Sequence, residues 1–319
     1  MSVTAAFDRF QQRHRVVGYP LAVVYKFFDD SGSYLAAMIA YYAFVSLFPL
    51  LLLGTTILGF VLTGHPELQK EILNSAVTRI PLIGKNLTDP RGIGGGIGGL
   101  VVGVIGSLYG GLGIGQAAQY AMNQAWAVPR HHRPNPLKAR LRSLLLLSTA
   151  GVGVVASAVL STVGASHAGS LQTVARVLVL AGSVLINIGV FVFAFRLAAE
   201  RDLTVRDVVP GAILAGLVWQ LLQTFGVIYA NRVVSHASET NKVFATVLGM
   251  LAFLYLAGTA LVFCVEVNVV RVKRLYPRSL LTPFTDDVEL TAGDEKAYRG
   301  QAQAQRFKTS EQIDVTFED

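Results

Sequence analysis

The chain reads as an all-α, polytopic membrane bundle of about six transmembrane helices with interfacial amphipathic helices. Three observations predict it. Of 319 residues, 52% are hydrophobic and only 15% charged, far from the balance of an ordinary soluble domain. The mean hydropathy is +0.50. Several runs also exceed the roughly 18 apolar residues that separate a spanning helix from a buried soluble one.

Residues 1–33 are expected to form a cytoplasmic segment. They are mixed and basic and lack the charged-then-apolar order of a cleavable signal peptide. Within them "RVVGYPLAVVYKFFDDSG" interleaves aromatics with Lys26 and Asp29, which suits a helix on the cytoplasmic surface; a folded loop is the other reading. The transmembrane domain, 34–271, holds six spans near the ~20 residues that a hydrocarbon core demands. They run Tyr34 to Leu62, Gly96 to Ala118, Ser143 to Val163, Val174 to Phe195, Val208 to Tyr229 and Val243 to Val270. Between the first two, Leu68, Ile72, Ala76 and Ile80 recur every fourth residue among polar neighbours, as in a helix lying flat on the outer leaflet. The tail, 272–319, is polar and Gln-rich and is expected to be disordered.

Charge placement sets orientation. Arg9, Arg13, Arg15 and Lys26, the cluster Arg130 to Arg142, Arg196 to Arg206, and Arg271 to Arg278 all fall on one side of these spans, with fewer basic residues opposite. Both termini are therefore expected in the cytoplasm. The formal net charge of +7 then reads as a topology signal. Anionic lipid headgroups are its expected partner, and no nucleic acid is.

Polar residues inside the spans are the candidates for function. Tyr42, Ser46 and Pro49 share a helical face. Pro49 lacks an amide proton and frees the carbonyl of Val45, so this face should look into protein or water, for packing or for a substrate. In the second span Gly95, Gly99, Gly103, Ser107, Gly111 and Gly115 form a small-residue ridge that continues into Gln119 and Asn123. Such a ridge serves an internal contact or a homo-oligomer. Gly94, Gly96 and Gly99 also fit a dinucleotide fingerprint, but no strand precedes them.

Asn187 follows Ser183 by one turn, Gln220 is paired with Gln223, and Tyr255, Thr259 and Glu266 lie near one face of the last span. The amides can serve as interhelical glue. Glu266 lies about 7 Å from the cytoplasmic end by helical rise, close enough to pair with a basic helix end such as Arg196 or to act on a headgroup or proton. The six histidines are scattered, Cys264 is the only cysteine, and neither a nucleophile elbow nor a P-loop is present. No enzyme, metal or cofactor is expected.

Several segments in order, "AAMIAYYAFVSLFPLLLL", "AAQYAMNQAWAVPRHHRPNPLKARLRSL", "VVPGAILAGLVWQLLQTFGVIYA" and "CVEVN", resemble the YihY/BrkB family of bacterial inner-membrane proteins, once labelled ribonuclease BN. The resemblance covers Asp30 to about Arg271. It implies six helices, a bacterial inner (plasma) membrane location, a part in envelope integrity or virulence, and proposed transport of lipids or lipid-linked molecules. Ser46 with Pro49, Asn123 and Trp126 with Arg140, Pro210 and Gly211 with Trp219, and Glu266 with Asn268 match the family pattern. The chain departs from it at "NKVFATVLG" and at Val265. Clustered metal ligands for a ribonuclease are missing.

The expected function is movement of an amphipathic envelope lipid through a polar passage. Its candidate lining is Tyr42, Ser46, Pro49, Gln119, Asn123, Asn187, Gln220, Gln223 and Glu266, with Arg140, Arg142 and Arg196 attracting an anionic headgroup. The alternative is a scaffold that holds an envelope protein partner and moves nothing.

Overall fold

The computed structural model describes residues 3–61, 67, 96–165, 172–236, 239–282, 284–285 and 288–317. Nine α-helices stand among them: α1 (Val3–Arg13), α2 (Arg15–Asp29), α3 (Gly32–Val61), α4 (Gly96–Ala125), α5 (Pro136–Ala165), α6 (Gln172–Ala198), α7 (Val205–His236), α8 (Glu239–Lys273) and α9 (Ala292–Ala304). α3 to α8 coincide with the six predicted spans, each running somewhat longer. Stretches of α5, α6, α7 and α8 are long and apolar enough to cross a membrane. The expected outer-leaflet helix around Leu68–Ile80 lies outside the described residues.

The six long helices close a ring. Each packs on its neighbour in sequence, α8 returns to α3, and α4 reaches across to α6 and α8. From α5 onward the links are short, and short links between packed neighbours make α5 to α8 successively antiparallel. Glycines set the approach: a Cβ on Gly110 would come within 2.5 Å of the Ser46 side chain, and one on Gly258 within 2.8 Å of the Ala36 carbonyl oxygen. Backbones this close form the small-residue seams by which membrane helices associate.

The buried apolar core gathers at one end of the ring. Trp126 after α4, Phe195 and Ala198 of α6, Val208 and Ala212 of α7, and Val265, Val269 and Val270 of α8 meet there with Ala22 and Val23 of α2. This is the end that carries the predicted cytoplasmic charge. α2 is a helix, but its apolar face serves the protein: Ala22, Val23, Tyr25 and Phe27 are buried, and the helix lies along α8. The bundle's own apolar surface takes the place of lipid.

The tail departs from the sequence expectation. In place of disorder it forms α9, opened by a capping box in which Thr291 Oγ1 accepts from the Asp294 amide at 3.2 Å and Asp294 accepts from the Thr291 amide at 2.9 Å. Asp294 also accepts from the Ser279 amide at 2.9 Å and pairs with the buried Arg278 guanidinium, which reaches Asp29 at 2.9 Å. Burial alone would lower the Arg278 pKa, but Asp29 and Asp294 outweigh it and hold the group above its ordinary value. Composition describes the tail's own residues, whereas its order comes from carboxylates meeting a distant arginine. Thr291→Ala is expected to cost about 1 kcal/mol of local stability. Faster amide exchange across 292–304, with α3 to α8 unchanged, is the measurement that checks it.

Candidate functional site

The closed end contains a buried charge cluster. The i, i+4 pair Lys26 and Asp30 forms an ion pair, and Lys26 Nζ stands 3.8 Å from Glu266 Oε2, with all three side chains at most 2% exposed. Asp30 also accepts from Gln301 of α9 at 3.2 Å. Burial pulls the Lys26 pKa down, but the charges of Glu266 and Asp30 pull it further up, so the ammonium is held above its usual range. Glu266 therefore answers α2, not Arg196 as the sequence led us to expect. Arg196 instead donates through Nε to the Leu203 carbonyl at 2.8 Å. Neither carboxylate oxygen of Glu266 has a hydrogen bond among the described residues; what compensates it there is the Lys26 charge, with Lys273 acting more weakly.

Around the cluster, polar side chains tie helix ends together. Asn123 Oδ1 accepts from the Glu200 amide at 2.8 Å. Lys273 donates to the Trp126 carbonyl, and Arg201 lies 5.3 Å above the Trp126 ring. Asn268 grips the start of α7, accepting from the Gly211 amide at 2.8 Å and donating to the Val208 carbonyl at 3.2 Å. Pro210 has no amide proton to offer the Arg206 carbonyl four residues back. Arg271 supplies the missing donor. Pro210 and Gly211 of α7 and Asn268 and Arg271 of α8 thus form a seam between the two helices.

The predicted pathway residues divide into two groups. Tyr42 and Ser46 turn inward, but a Cβ on Gly113 would strike the Tyr42 ring and one on Gly110 the Ser46 backbone. Ser46 is fully buried and donates to the Ala43 carbonyl at 3.0 Å. Gln119 donates to the Ala139 carbonyl and to Ser143 Oγ, both at 2.9 Å, beside Gly115, where a Cβ would come within 2.5 Å of Ser143. That end of the glycine ridge serves an internal contact with α5. Tyr42, Ser46, Gln119 and Asn123 are therefore committed to helix packing, Gln119 through Nε2 while its buried Oε1 has no hydrogen bond among the described residues, and Pro49 sits half-buried on the same helix as Tyr42 and Ser46.

Asn187, Gln220 and Gln223 form the second group. All three are half-buried, and their side chains make no hydrogen bond to the described residues. Asn187 continues the face of α6 that carries Phe191 and Phe195, whose rings meet at 5.9 Å, tilted by 43°, in or against the core. Gln220 lies one turn beyond Gly216, whose Cβ would come within 2.7 Å of Ile188. Because α6 and α7 are antiparallel, that contact places Gln220 about one turn beyond the level of Asn187. A row of open amides thus extends from the sealed core along the α6–α7 seam.

Of the headgroup candidates, Arg142 is paired with Glu200 across the closed end, and Arg140 is exposed. The charged residues missed in the sequence are Lys26 and Asp30. Their signal is an i, i+4 opposite-charge pair set within an apolar helix face.

Known proteins resemble most of the chain. The family described as virulence factor BrkB matches residues 23–286. The inner membrane protein YhjD of Escherichia coli (strain K12) is 23% identical over 288 residues, 82% of this chain and 83% of that protein. An uncharacterized protein of Dickeya dadantii (strain 3937) is 22% identical over 267 residues, 75% of this chain and 78% of its own length. No solved structure matches.

Proposed function

The chain belongs to the virulence factor BrkB family, and from that premise we propose that it moves an amphipathic lipid or lipid-linked envelope molecule across the bacterial inner membrane, with both termini cytoplasmic. The relative named an inner membrane protein supports the location. One observation carries the activity: Asn187, Gln220 and Gln223 are half-buried on helices of spanning length, with no side-chain hydrogen bond among the described residues. In hydrocarbon an amide without a partner costs several kcal/mol. Water or a polar headgroup entering the α6–α7 seam removes that cost. Tyr42 and Ser46 leave the lining and become its wall, and the charge cluster at Glu266 closes the cytoplasmic end.

The test is a liposome assay with a labelled anionic phospholipid and the full-length protein. Asn187→Leu and Gln223→Leu are expected to slow lipid movement at least tenfold while thermal stability stays within about 1 kcal/mol, because neither amide gives up a hydrogen bond to the bundle. Unchanged movement in both variants, or none above empty liposomes with the intact protein, would leave the scaffold reading in its place.

A further inference from the structure

We infer that the elbow between α1 and α2 binds the headgroup of an anionic glycerophospholipid, Arg13 and Arg15 holding the phosphate and Gln11 a neighbouring hydroxyl. The inference is independent of lipid movement and applies equally to a protein that moves nothing.

A cavity of about 250 Å³ lies at the elbow, lined by Gln11, Arg13, Arg15 and Gly18 with Tyr276 and Pro277 opposite. Arg13 and Arg15 are exposed, and neither has a carboxylate partner among the described residues. Asp8, the acid of α1, is already occupied by Gln11 and Gln12 side chains at 2.9 and 3.0 Å and by the Leu280 amide at 2.9 Å. Two free guanidinium groups at the mouth of one cavity call for a phosphate, which their planar donor sets recognise.

The second observation comes from inside the cavity. Gln11 is 0% exposed, its Nε2 donates to Asp8 and to the Arg278 carbonyl, and its Oε1 has no partner among the described residues. That oxygen lies 3.2 Å from where a Cβ on Gly18 would stand, so it belongs to a wall that only glycine leaves open. Buried acceptors are almost always satisfied. A phosphate diester brings acceptors only, so an O–H beside the phosphate, as a glycerol headgroup provides, would supply the donor that Oε1 lacks.

The surroundings favour a lipid over a free ester. The cavity is smaller than the roughly 300–1,000 Å³ of sites that enclose drug-sized ligands, so acyl chains would remain outside. Phe7 and Phe10, each 48% exposed, and Val16, 86% exposed, offer the apolar flank beside it. Aromatic and aliphatic side chains next to arginines are what a helix presents to an anionic bilayer surface.

Delipidated full-length protein in detergent would be titrated with short-chain phosphatidylglycerol, short-chain phosphatidylcholine, glycerol 3-phosphate and inorganic phosphate, binding being read by native mass spectrometry. Phosphatidylglycerol should bind at least tenfold tighter than phosphatidylcholine, and Arg13→Gln with Arg15→Gln should erase that preference. Arg13→Lys with Arg15→Lys should retain part of it, since charge persists while the planar fork is lost. Both arginines are exposed and have no carboxylate partner among the described residues, so these variants should elute as the parent does. Competition by glycerol 3-phosphate at equal strength would assign the site to a soluble phosphate ester; failure to compete assigns it to lipid. Equal phosphatidylglycerol binding by the parent and the double glutamine variant, or no preference over phosphatidylcholine in the parent, would overturn the site.

Discussion

Lys26→Met is expected to destabilise the bundle by about 3–5 kcal/mol, the usual result of removing one member of a buried ion pair. Lys26 faces two carboxylates, Asp30 in direct contact and Glu266 at 3.8 Å, and the side chains are at most 2% exposed. Without the ammonium, Asp30 retains a hydrogen bond from Gln301. Glu266 retains no hydrogen bond among the described residues. Lys273 also acts on both carboxylates, at longer range. Methionine fills the space of the lysine stem, so the loss reports charge and not a cavity.

The sign of the pH effect follows from the Lys26 pKa. Burial lowers it, the two carboxylates raise it by more, and the folded-state value lies above the unfolded one. A raised lysine contributes fully below the unfolded pKa of about 10.4 and loses that contribution only as pH rises through the folded value. Deprotonation of Lys26 therefore removes nothing near neutral pH, and the effect of Lys26→Met should be complete there. Thermal unfolding in detergent, followed by fluorescence of Trp126 and Trp219, measures it. Combining Lys26→Met with Glu266→Gln should recover part of the loss, since one of the two buried carboxylates that faced the ammonium leaves with it. Equal melting temperatures for the parent and Lys26→Met would end the argument that this cluster closes the bundle.

This cluster also marks the limit of what could be read from the sequence. The six long helices were legible because an apolar run of bilayer length has few other fates, stretches of four of them being long and apolar enough to cross a membrane, and the inward turn of Tyr42 and Ser46 was legible from helical spacing. What spacing does not reveal is the partner across the fold. Glu266 looked toward the nearest basic helix end, yet its cation lies on α2, on a segment read as a surface helix. The tail failed for the same reason: Asp294 orders α9 by meeting Arg278 and Ser279, contacts that composition does not encode. Among the amides the sequence marked Asn123 and Asn187 alike. Only the packed structure separates Asn123, whose side chain accepts from Glu200, from Asn187, whose side chain accepts from none of the described residues.

Gly211→Ala is expected to cost about 3 kcal/mol, at the upper end of what overpacking a close helix contact costs. A Cβ at this position would overlap the Cys264 carbonyl oxygen and the Asn268 amide group. The first is backbone, so it cannot rotate away. The second is the hand that holds α7, and moving it breaks the bonds to the Gly211 amide at 2.8 Å and the Val208 carbonyl at 3.2 Å, each worth about 1 kcal/mol net. Pro210 adds to the strain of any shift, because the Arg206 carbonyl, left without its helical donor, depends on Arg271. Gly189→Ala supplies the contrast: a Cβ there meets nothing within 4 Å, and the helix should gain up to about 1 kcal/mol from the lower backbone entropy of alanine. If the two glycine variants melt at the same temperature, close approach of α7 to α8 is not what fixes the closed end. If Gly211→Ala alone falls, the proline-glycine step and Asn268 are the joint on which the α6–α7 seam is hung, and the open amides along it keep their position relative to the sealed core through that joint.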